Sequence, residues 1–159
     1  MAISNSARGH FQKQHEAEPH LKDVLSKIEV VYPGILDAPD CYVRHRSRVE
    51  AHVPHLAFIG GEFFRKGGPV AVEAFAQLRK DLDIKMTVVS SLSTGNPILP
   101  LDSGATERWR SRLQEIGVRH VEYLPPDAVR ELLADVDILV HPTLNDSFGY
   151  AVTEAMATG

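Results

Sequence analysis

Residues 55–91 decide the fold, and they read HLAFIGGEFFRKGGPVAVEAFAQLRKDLDIKMTVVSS. The stretch opens with a short apolar run, LAFI, which ends in two glycines and is typical of a buried strand. Apolar residues then recur at helical spacing, and a second apolar run, MTVV, predicts another strand. The helical face consists of Ala71, Ala74, Phe75 and Leu78. Strand, helix and strand in this order predict a βαβ unit with two parallel strands.

The same alternation continues to the end of the chain. The pattern predicts a helix at TERWRSRLQEIG, capped by Gly117, a strand at HVEYL and a helix at PDAVRELLADV, then a strand at DILVHP and a helix at GYAVTEAMA. We therefore expect an α/β protein with a Rossmann-like parallel sheet and flanking helices. Right-handed crossovers would cover both faces of the sheet, which suits all-apolar strands such as LAFI and ILV.

The first 54 residues are less regular. Residues 3–26 are compatible with helix, and either Ser4 or Asn5 is a candidate N-cap. Residues 28–32 are predicted to form a short strand, which the Pro-Gly step after it would end. A basic cluster, RHRSRVE at 44–50, is either a solvated surface segment or a loop that contacts an anion.

Composition limits the function classes. The chain has 159 residues, a formal net charge of −4 and a pI near 6.0, so bulk charge does not indicate a nucleic-acid binder. Cys41 is its only cysteine, so no internal disulfide can form. We found no apolar run long enough to span a membrane and no leader-like start, and we expect a cytoplasmic protein. The spacing of the eight histidines does not favour a metal site.

The segment GGEFFRKGG predicts a first binding site. Gly60 and Gly61 follow the first strand, and Arg65 and Lys66 lead into a helix expected to start at Pro69. Glycines allow the backbone to approach a ligand, and a helix N-terminus with two cations favours an anion such as a diphosphate.

A simpler interpretation of the same segment stays open. Cations beside a turn are usually surface residues, and GGEFF is also compatible with a tight turn that packs Phe63 or Phe64 inward.

The closing stretch, DSFGYAVTEAMATG, predicts a second site. Asp146 follows the fourth strand, and Ser147, Phe148 and Gly149 lie at the predicted helix start, where backbone N–H groups bind anions. The Glu154 carboxylate in that helix can accept hydrogen bonds from a ribose diol. Alternatively, Asp146 is only an N-cap and Glu154 only an exposed helical residue.

The order of the motifs resembles a known family. FIGG…RKGG…EAF, VEYLP…VRELLADVDILVHPT and DSFGYAVTEAMATG resemble the C-terminal, donor-binding domain of family 4 glycosyltransferases, which have the GT-B fold of two Rossmann-like domains. The closing stretch is similar to the family's E-x7-E signature in the frame P-S/T-x-x-E-x-F-G-x-x-x-x-E-A-M-A-x-G. The resemblance covers roughly residues 55–159 and, more loosely, ISNSAR and KIEVVYPGI upstream. The positions in frame are Pro142, Thr143, Phe148, Gly149, Glu154, Ala155, Met156, Ala157 and Gly159.

This resemblance implies roles for individual residues. Lys66 would contact the diphosphate of a nucleotide-sugar donor, and the backbone N–H groups of Phe148 and Gly149 would face its phosphate and sugar. Glu154 would hold the ribose hydroxyls. Asp146, the candidate catalytic residue, would lie beside the donor sugar, while SSLSTG and YLPP would surround the nucleoside.

The resemblance also implies the reaction and the domain limits. The family transfers a sugar from a nucleotide-sugar to an acceptor hydroxyl with retention of anomeric configuration, and typically without a metal or other cofactor. The donor would be a UDP-, GDP- or ADP-sugar, and the acceptor a glycan, lipid or small molecule bound by an N-terminal domain. Residues 1–54 would then be an inter-domain segment, and 55–159 a donor domain incomplete at its C-terminus.

Three departures from the family pattern keep alternatives open. Asp146 stands where the family usually has Glu, Gly61 stands where it often has Arg, and VVSSLSTG lacks a glycine-rich ending. A related GT-B nucleotide-sugar epimerase and a non-catalytic nucleotide-binding fragment are the alternative functions. We expect little or no transfer by the 159-residue chain alone, and self-association through the edge of the fourth strand.

Overall fold

A computed structural model of the chain describes residues 2–34, 52–93, 102, 104–143, 146 and 148–158. These residues form a four-stranded parallel sheet in which a helix follows each strand, as the alternation predicts, and two further helices precede the first strand. The strands are β1 (His55–Glu62), β2 (Lys85–Ser91), β3 (Arg119–Val121) and β4 (Ile138–Leu139). The helices are α1 (Asn5–Gln14), α2 (Leu21–Ser26), α3 (Gly68–Leu78), α4 (Ala105–Glu115), α5 (Pro126–Asp135) and α6 (Tyr150–Thr158).

The strand order is β3-β2-β1-β4, and this order determines where a ligand can bind. The chain steps outward from β1 through β2 to β3, then crosses back to place β4 on the other side of β1. The connection from β1 to β2 and the connection from β3 to β4 therefore run in opposite directions across the sheet, and the order reverses between β1 and β4. In an open parallel sheet such a topological switch point leaves a crevice at the carboxyl ends of the strands, where ligands bind.

The two glycines predicted to end β1 lie inside it instead. The strand continues to Glu62, and its register against β2 shifts between Ile59 and Glu62. An extra residue in one strand makes a bulge, and glycine is favoured there because it has no side chain to accommodate. The helix expected to start at Pro69 starts one residue earlier, at Gly68.

The core lies between the sheet and helices α3 and α4. The predicted face of α3 is correct for Ala71 and Phe75, whereas Ala74 and Leu78 are exposed and Val72 is buried instead. Phe58 of β1, Phe75 of α3 and Leu113 of α4 are each at most 1% exposed. Phe63 also turns inward, is fully buried, and packs edge-on against the rings of Phe58 and Trp109. The segment GGEFF therefore does pack a phenylalanine into the core, as its simpler interpretation holds.

Helix ends follow the expected chemistry. Ser4 is the N-cap of α1, and its hydroxyl accepts a hydrogen bond of 3.0 Å from the backbone N–H of Ala7. After α4, Gly117 has φ 68° and lies one residue beyond the cap, at Ile116. The N–H groups of Gly117 and Val118 bond the carbonyls of Gln114 and Leu113, which is the Schellman arrangement.

The strand predicted at residues 28–32 does not form. Val30 makes a single isolated bridge to Ala2, flanked by two backbone hydrogen bonds. Tyr32 nevertheless links this segment to the rest of the chain, since its ring lies 6.4 Å from that of Phe148.

The edges of the sheet are β3 and β4 within the part of the chain that the structure describes. Ile138 on β4 is 53% exposed. Self-association along this edge stays a prediction. None of the described helices is both long enough and apolar enough to cross a bilayer.

The N-terminal end of the sheet carries a separate polar cluster. The ring nitrogens of buried His55 lie 2.9 Å from Asp135 Oδ2 and 2.9 Å from Thr87 Oγ1. Asp137 accepts a hydrogen bond from the backbone N–H of His55 and contacts the ring of His52. These contacts satisfy the buried imidazole at the end of the sheet opposite the crevice.

Candidate functional site

A pocket of about 300 Å³ opens at the carboxyl ends of the strands, at the switch point between β1 and β4. The end of β1 and the loops that follow β1 and β4 form two of its walls, and residues at the end of β2, after β3 and on α5 and α6 complete it. The lining residues are Ile59, Gly60, Gly61, Lys66, Val89, Ser90, Glu122, Tyr123, Leu124, Val129, His141, Asp146, Tyr150, Ala151 and Glu154.

An ion pair joins the two loops inside this pocket. Lys66 Nζ lies 2.6 Å from Asp146 Oδ2, and the side chains are only 12% and 22% exposed. The two residues are far apart in the sequence and meet because β4 lies next to β1 in the sheet. Since α6 begins only at Tyr150, Asp146 is not the N-cap of that helix.

A close backbone approach fixes the distance between these loops. Gly67 has φ 81°, and a Cβ at this position would lie 2.6 Å from the carbonyl oxygen of Pro142. Only glycine combines a left-handed backbone with the absence of a side chain. The Gly67–Pro142 contact therefore holds the segment carrying Lys66 against the segment carrying Asp146.

His141 directly follows β4 on the pocket wall. Its side chain is 15% exposed, and its Nε2 lies 3.3 Å from Asp146 Oδ2. The geometry of this approach is not that of a hydrogen bond, and within the described residues neither ring nitrogen has a hydrogen-bond partner. The imidazole thus lies beside the ion pair without taking part in it.

Helix α6 contributes its first turns to the pocket. Tyr150 and Ala151 begin the helix, and Glu154 follows one turn later on the same side. Tyr150 and Tyr123, from the segment after β3, are 48% and 74% exposed, so aromatic rings stand at the mouth of the pocket. Exposed rings beside carboxylates can stack on a planar ligand while the carboxylates accept its hydroxyls.

The structure brings together five of the nine residues singled out from the sequence. Gly60, Gly61, Lys66, Asp146 and Glu154 all line the pocket.

The other four do not line it or are not described. Arg65 points elsewhere and its guanidinium pairs with Glu62. Phe148 packs against Tyr150, and the carbonyl of Gly149 accepts the first backbone hydrogen bond of α6. Ser147 lies outside the described residues, as do the basic cluster at 44–50 and the end of SSLSTG.

Ser90 is the first residue of SSLSTG, a segment singled out from the sequence, and it lines the pocket at the carboxyl end of β2. Sequence reasoning did not single out Glu122 or Val129, which also line the pocket. Glu122 directly follows β3, and this position at the carboxyl end of a strand would have identified it. Val129 lies inside α5, and no pattern along the chain distinguishes it from a core residue. Ser90 is 2% exposed, and its hydroxyl has no hydrogen-bond partner among the described residues.

The charges of the lining are unevenly divided. Lys66 is the one lysine or arginine among the described lining residues, whereas Glu122, Asp146 and Glu154 are carboxylates. No cluster of His, Cys, Asp and Glu that suits a metal ion occurs in the described ranges.

Residues 53–159 match the family model described as "Glycosyl transferases group 1". The chain is 34% identical over 146 residues to a D-inositol 3-phosphate glycosyltransferase of Corynebacterium efficiens, covering 84% of this chain and 33% of that protein. It is 24% identical to the lipopolysaccharide glucosyltransferase WaaG of Escherichia coli, covering 100% of this chain and 41% of WaaG. The chain therefore spans about a third to two-fifths of these relatives.

The fold is also found in solved structures. The crystal structure of WaaG superimposes with a TM-score of 0.59 at 22% identity, over 99% of this chain and 41% of that one. A glycosyltransferase from Rickettsia africae gives the same TM-score at 18% identity and 47% of its length. The four-stranded sheet thus corresponds to a Rossmann-like half of a GT-B fold, which confirms the predicted fold class.

Proposed function

Because this chain belongs to the group 1 glycosyltransferases, we propose that its pocket binds the nucleotide-sugar donor of a sugar transfer. The observation that carries the proposal is the meeting of Lys66, Asp146 and Glu154 in one pocket at the switch point of the sheet. They come from three separate elements, and each supplies a different chemistry that such a donor needs.

The diphosphate is assigned to the loop after β1. Lys66 offers a compact ammonium charge, and Gly60 and Gly61 let the backbone approach the phosphate oxygens. The first turn of α6, at Tyr150 and Ala151, opens onto the same pocket with its N-terminal end, which favours an anion.

The sugar and ribose are assigned to the two acids. Glu154, one turn into α6, accepts hydrogen bonds from the ribose diol, because a carboxylate offers acceptors only. Asp146 lies against Lys66, so it would stand at the junction of the diphosphate and the sugar. The exposed rings of Tyr123 and Tyr150 would flank the nucleoside at the pocket mouth.

In the proposed reaction the bond between the anomeric carbon and the diphosphate breaks while the oxygen of an acceptor hydroxyl attaches on the same face and its proton passes to the departing diphosphate, so the configuration is retained. Lys66 and the helix N-terminus stabilise the departing diphosphate. Asp146 stabilises positive charge at the anomeric carbon. UDP-, GDP- and ADP-sugars are the candidate donors, and a glycan, lipid or small molecule bound by a second Rossmann-like domain is the acceptor.

An amide-resolved NMR titration of the 159-residue chain tests the location. We expect UDP, GDP or ADP to shift the amide signals of Gly60, Gly61, Lys66 and Ala151 in a saturable manner. The signals around His55, at the opposite end of the sheet, should not move. Saturable shifts confined to the His55 end would overturn the assignment of the pocket.

Transfer itself is tested with a whole protein that contains these residues. Incubation with an anomerically pure nucleotide-sugar and candidate acceptors, followed by NMR of the product, gives its anomeric configuration. Retention supports the proposal. Inversion, or conversion of the donor to an epimer without any transfer, contradicts it.

A further inference from the structure

The side chain of His141 is 15% exposed, but both of its ring nitrogens are buried and make no hydrogen bond within the described residues. A buried polar group without a partner loses its hydrogen bonds to water and gains none in exchange, so folded proteins rarely keep one without a reason. Since the ring lines the candidate donor pocket, we expect the imidazole to gain a hydrogen-bond partner when a ligand binds there.

One carboxylate oxygen lies within reach of two nitrogen donors. Asp146 Oδ2 is 2.6 Å from Lys66 Nζ and 3.3 Å from His141 Nε2. The Lys66 ammonium is the nearer of the two donors to this oxygen, and the His141 imidazole is the more distant. An ordinary N–H···O bond is about 2.9 Å long, so a small rotation of either side chain would complete one from His141.

We propose that His141 takes over the carboxylate of Asp146 when a diphosphate draws Lys66 away from it, and that a proton enters the pocket with the ligand. The inference rests on the proposed function, since it requires that Lys66 binds the diphosphate. In the empty pocket Lys66 neutralises Asp146. In the loaded pocket Lys66 turns to the phosphate, and His141 donates its Nε2–H to the carboxylate left behind.

The charges of the pocket explain why a proton should accompany the ligand. The titratable groups that line the same pocket as His141 are Lys66, Asp146, Glu122 and Glu154, together with the hydroxyls of Tyr123 and Tyr150. Carboxylates outnumber cations in this set, and a diphosphate adds further negative charge. An imidazolium at His141 would offset both, because opposite charges at short range favour the charged form.

Histidine is the side chain that can respond in this way near neutral pH. The neutral ring already donates one N–H, and the protonated ring donates two and adds a positive charge. Binding should therefore tighten as pH falls through the range of roughly 8 to 6, in which histidines ordinarily gain a proton. Linkage to one proton limits the gain to about tenfold per pH unit.

The test is calorimetric titration of the 159-residue chain with UDP-glucose, GDP-mannose and ADP-glucose. Each diphosphate is esterified at both ends, so its own charge stays constant across this pH range. Titrations at pH 6 and pH 8, in buffers of different ionisation enthalpy, give the affinity and the number of protons taken up. The variants are His141→Gln, which keeps a neutral N–H donor near the Nε2 position, and His141→Phe, which removes it.

For the native chain we expect proton uptake on binding and an affinity several-fold higher at pH 6 than at pH 8, within the limit of about tenfold per pH unit. His141→Gln should bind at pH 8 within about threefold of the native chain but lose most of the pH dependence and proton uptake. His141→Phe should bind more weakly at both pH values. This difference between two neutral replacements is what a purely structural role would not produce.

Two negative results have different meanings. Native binding without proton uptake, or with a pH profile that His141→Gln reproduces, overturns the inference about His141 and leaves the donor site standing. Failure of the folded native chain to bind any of the three probes overturns the proposed function and this inference together. Circular dichroism of each variant shows whether it is folded.

Discussion

Lys66 and Asp146 neutralise each other inside the pocket, with Nζ and Oδ2 separated by 2.6 Å. A diphosphate that binds Lys66 must compete with this carboxylate. The pairing also keeps the ammonium in place between the loops after β1 and β4, at the position assigned to the phosphates. Removal of the negative charge of Asp146 should therefore strengthen the binding of a free nucleoside diphosphate but impair sugar transfer.

Asp146→Asn should bind free UDP, GDP or ADP about threefold to tenfold more tightly than the native chain, because Lys66 is released and a like charge is removed. The same substitution should abolish most transfer in a whole protein that contains it, because the charge facing the anomeric carbon is lost. Calorimetry and a transfer assay measure the two effects. Weaker binding of the free diphosphate by Asp146→Asn would contradict the competition.

Glu154→Gln should weaken nucleoside diphosphate binding by roughly tenfold, because an amide is a poorer acceptor for two ribose hydroxyls than a carboxylate. The native chain should also discriminate against a 2′,3′-dideoxy nucleotide, and the variant should not. Glu131→Gln on α5, an exposed position outside the pocket, is the matched control. If the native chain and Glu154→Gln discriminate equally against the dideoxy nucleotide, Glu154 does not bind the ribose hydroxyls.

Gly67→Ala should destabilise the chain by about 2 kcal/mol or more. A methyl group there would meet the Pro142 carbonyl at 2.6 Å, and the left-handed backbone is itself unfavourable for alanine. Urea denaturation measures the loss. Gly9→Ala is the control, since Gly9 lies inside helix α1 with nothing within 4 Å and should gain up to about 1 kcal/mol. A neutral Gly67→Ala would show that the two loops are not held by this contact.

The pair between α3 and α4 makes stability depend on pH. Arg112 donates two hydrogen bonds of 2.9 Å to Glu73, and these hold the pKa of Glu73 below its ordinary value of 4.5. A carboxyl whose pKa is lowered by folding contributes stability above its unfolded pKa and loses that contribution as pH falls through the folded pKa. Because both side chains are partly exposed, the contribution should be at most about 1 kcal/mol.

Glu73→Gln should accordingly unfold at lower urea concentration than the native chain at pH 7, and the difference should shrink as the pH is lowered below 4.5. Glu107→Gln, which breaks a pair confined to α4, is the comparison and should have a smaller effect. If Glu73→Gln and the native chain differ in urea stability by the same amount in acid as at pH 7, the loss of stability does not come from the charge of Glu73.

The fold follows from the sequence because apolar periodicity distinguishes strands from helices, as at LAFI and at the Ala71–Phe75 face. The Schellman end at Gly117 was predictable for the same local reason. The bulge at Gly60 and Gly61 was not, because it depends on the register against β2. The strand predicted at 28–32 was wrong, because Val30 pairs with Ala2 through one isolated bridge, and periodicity along the chain does not show whether a strand finds a partner.

The site was predictable residue by residue but not as an arrangement. Lys66, Asp146 and Glu154 could each be chosen from motifs, whereas the contact of Lys66 with Asp146 depends on β4 lying beside β1. Alternation along the chain does not specify strand order. The same limit applies to Arg65, whose neighbour along the chain enters the pocket while its own guanidinium turns to Glu62.

Calorimetric titration of the folded 159-residue chain with UDP, GDP and ADP tests the central claim most directly. We expect at least one of them to bind saturably, and Lys66→Ala to weaken that binding by roughly tenfold or more, since it removes the charge-assisted contact to phosphate. Lys80→Ala, which removes an exposed lysine just beyond α3, should leave the affinity unchanged. Absence of binding at millimolar concentration, or equal losses in the two lysine variants, would contradict a diphosphate site at Lys66.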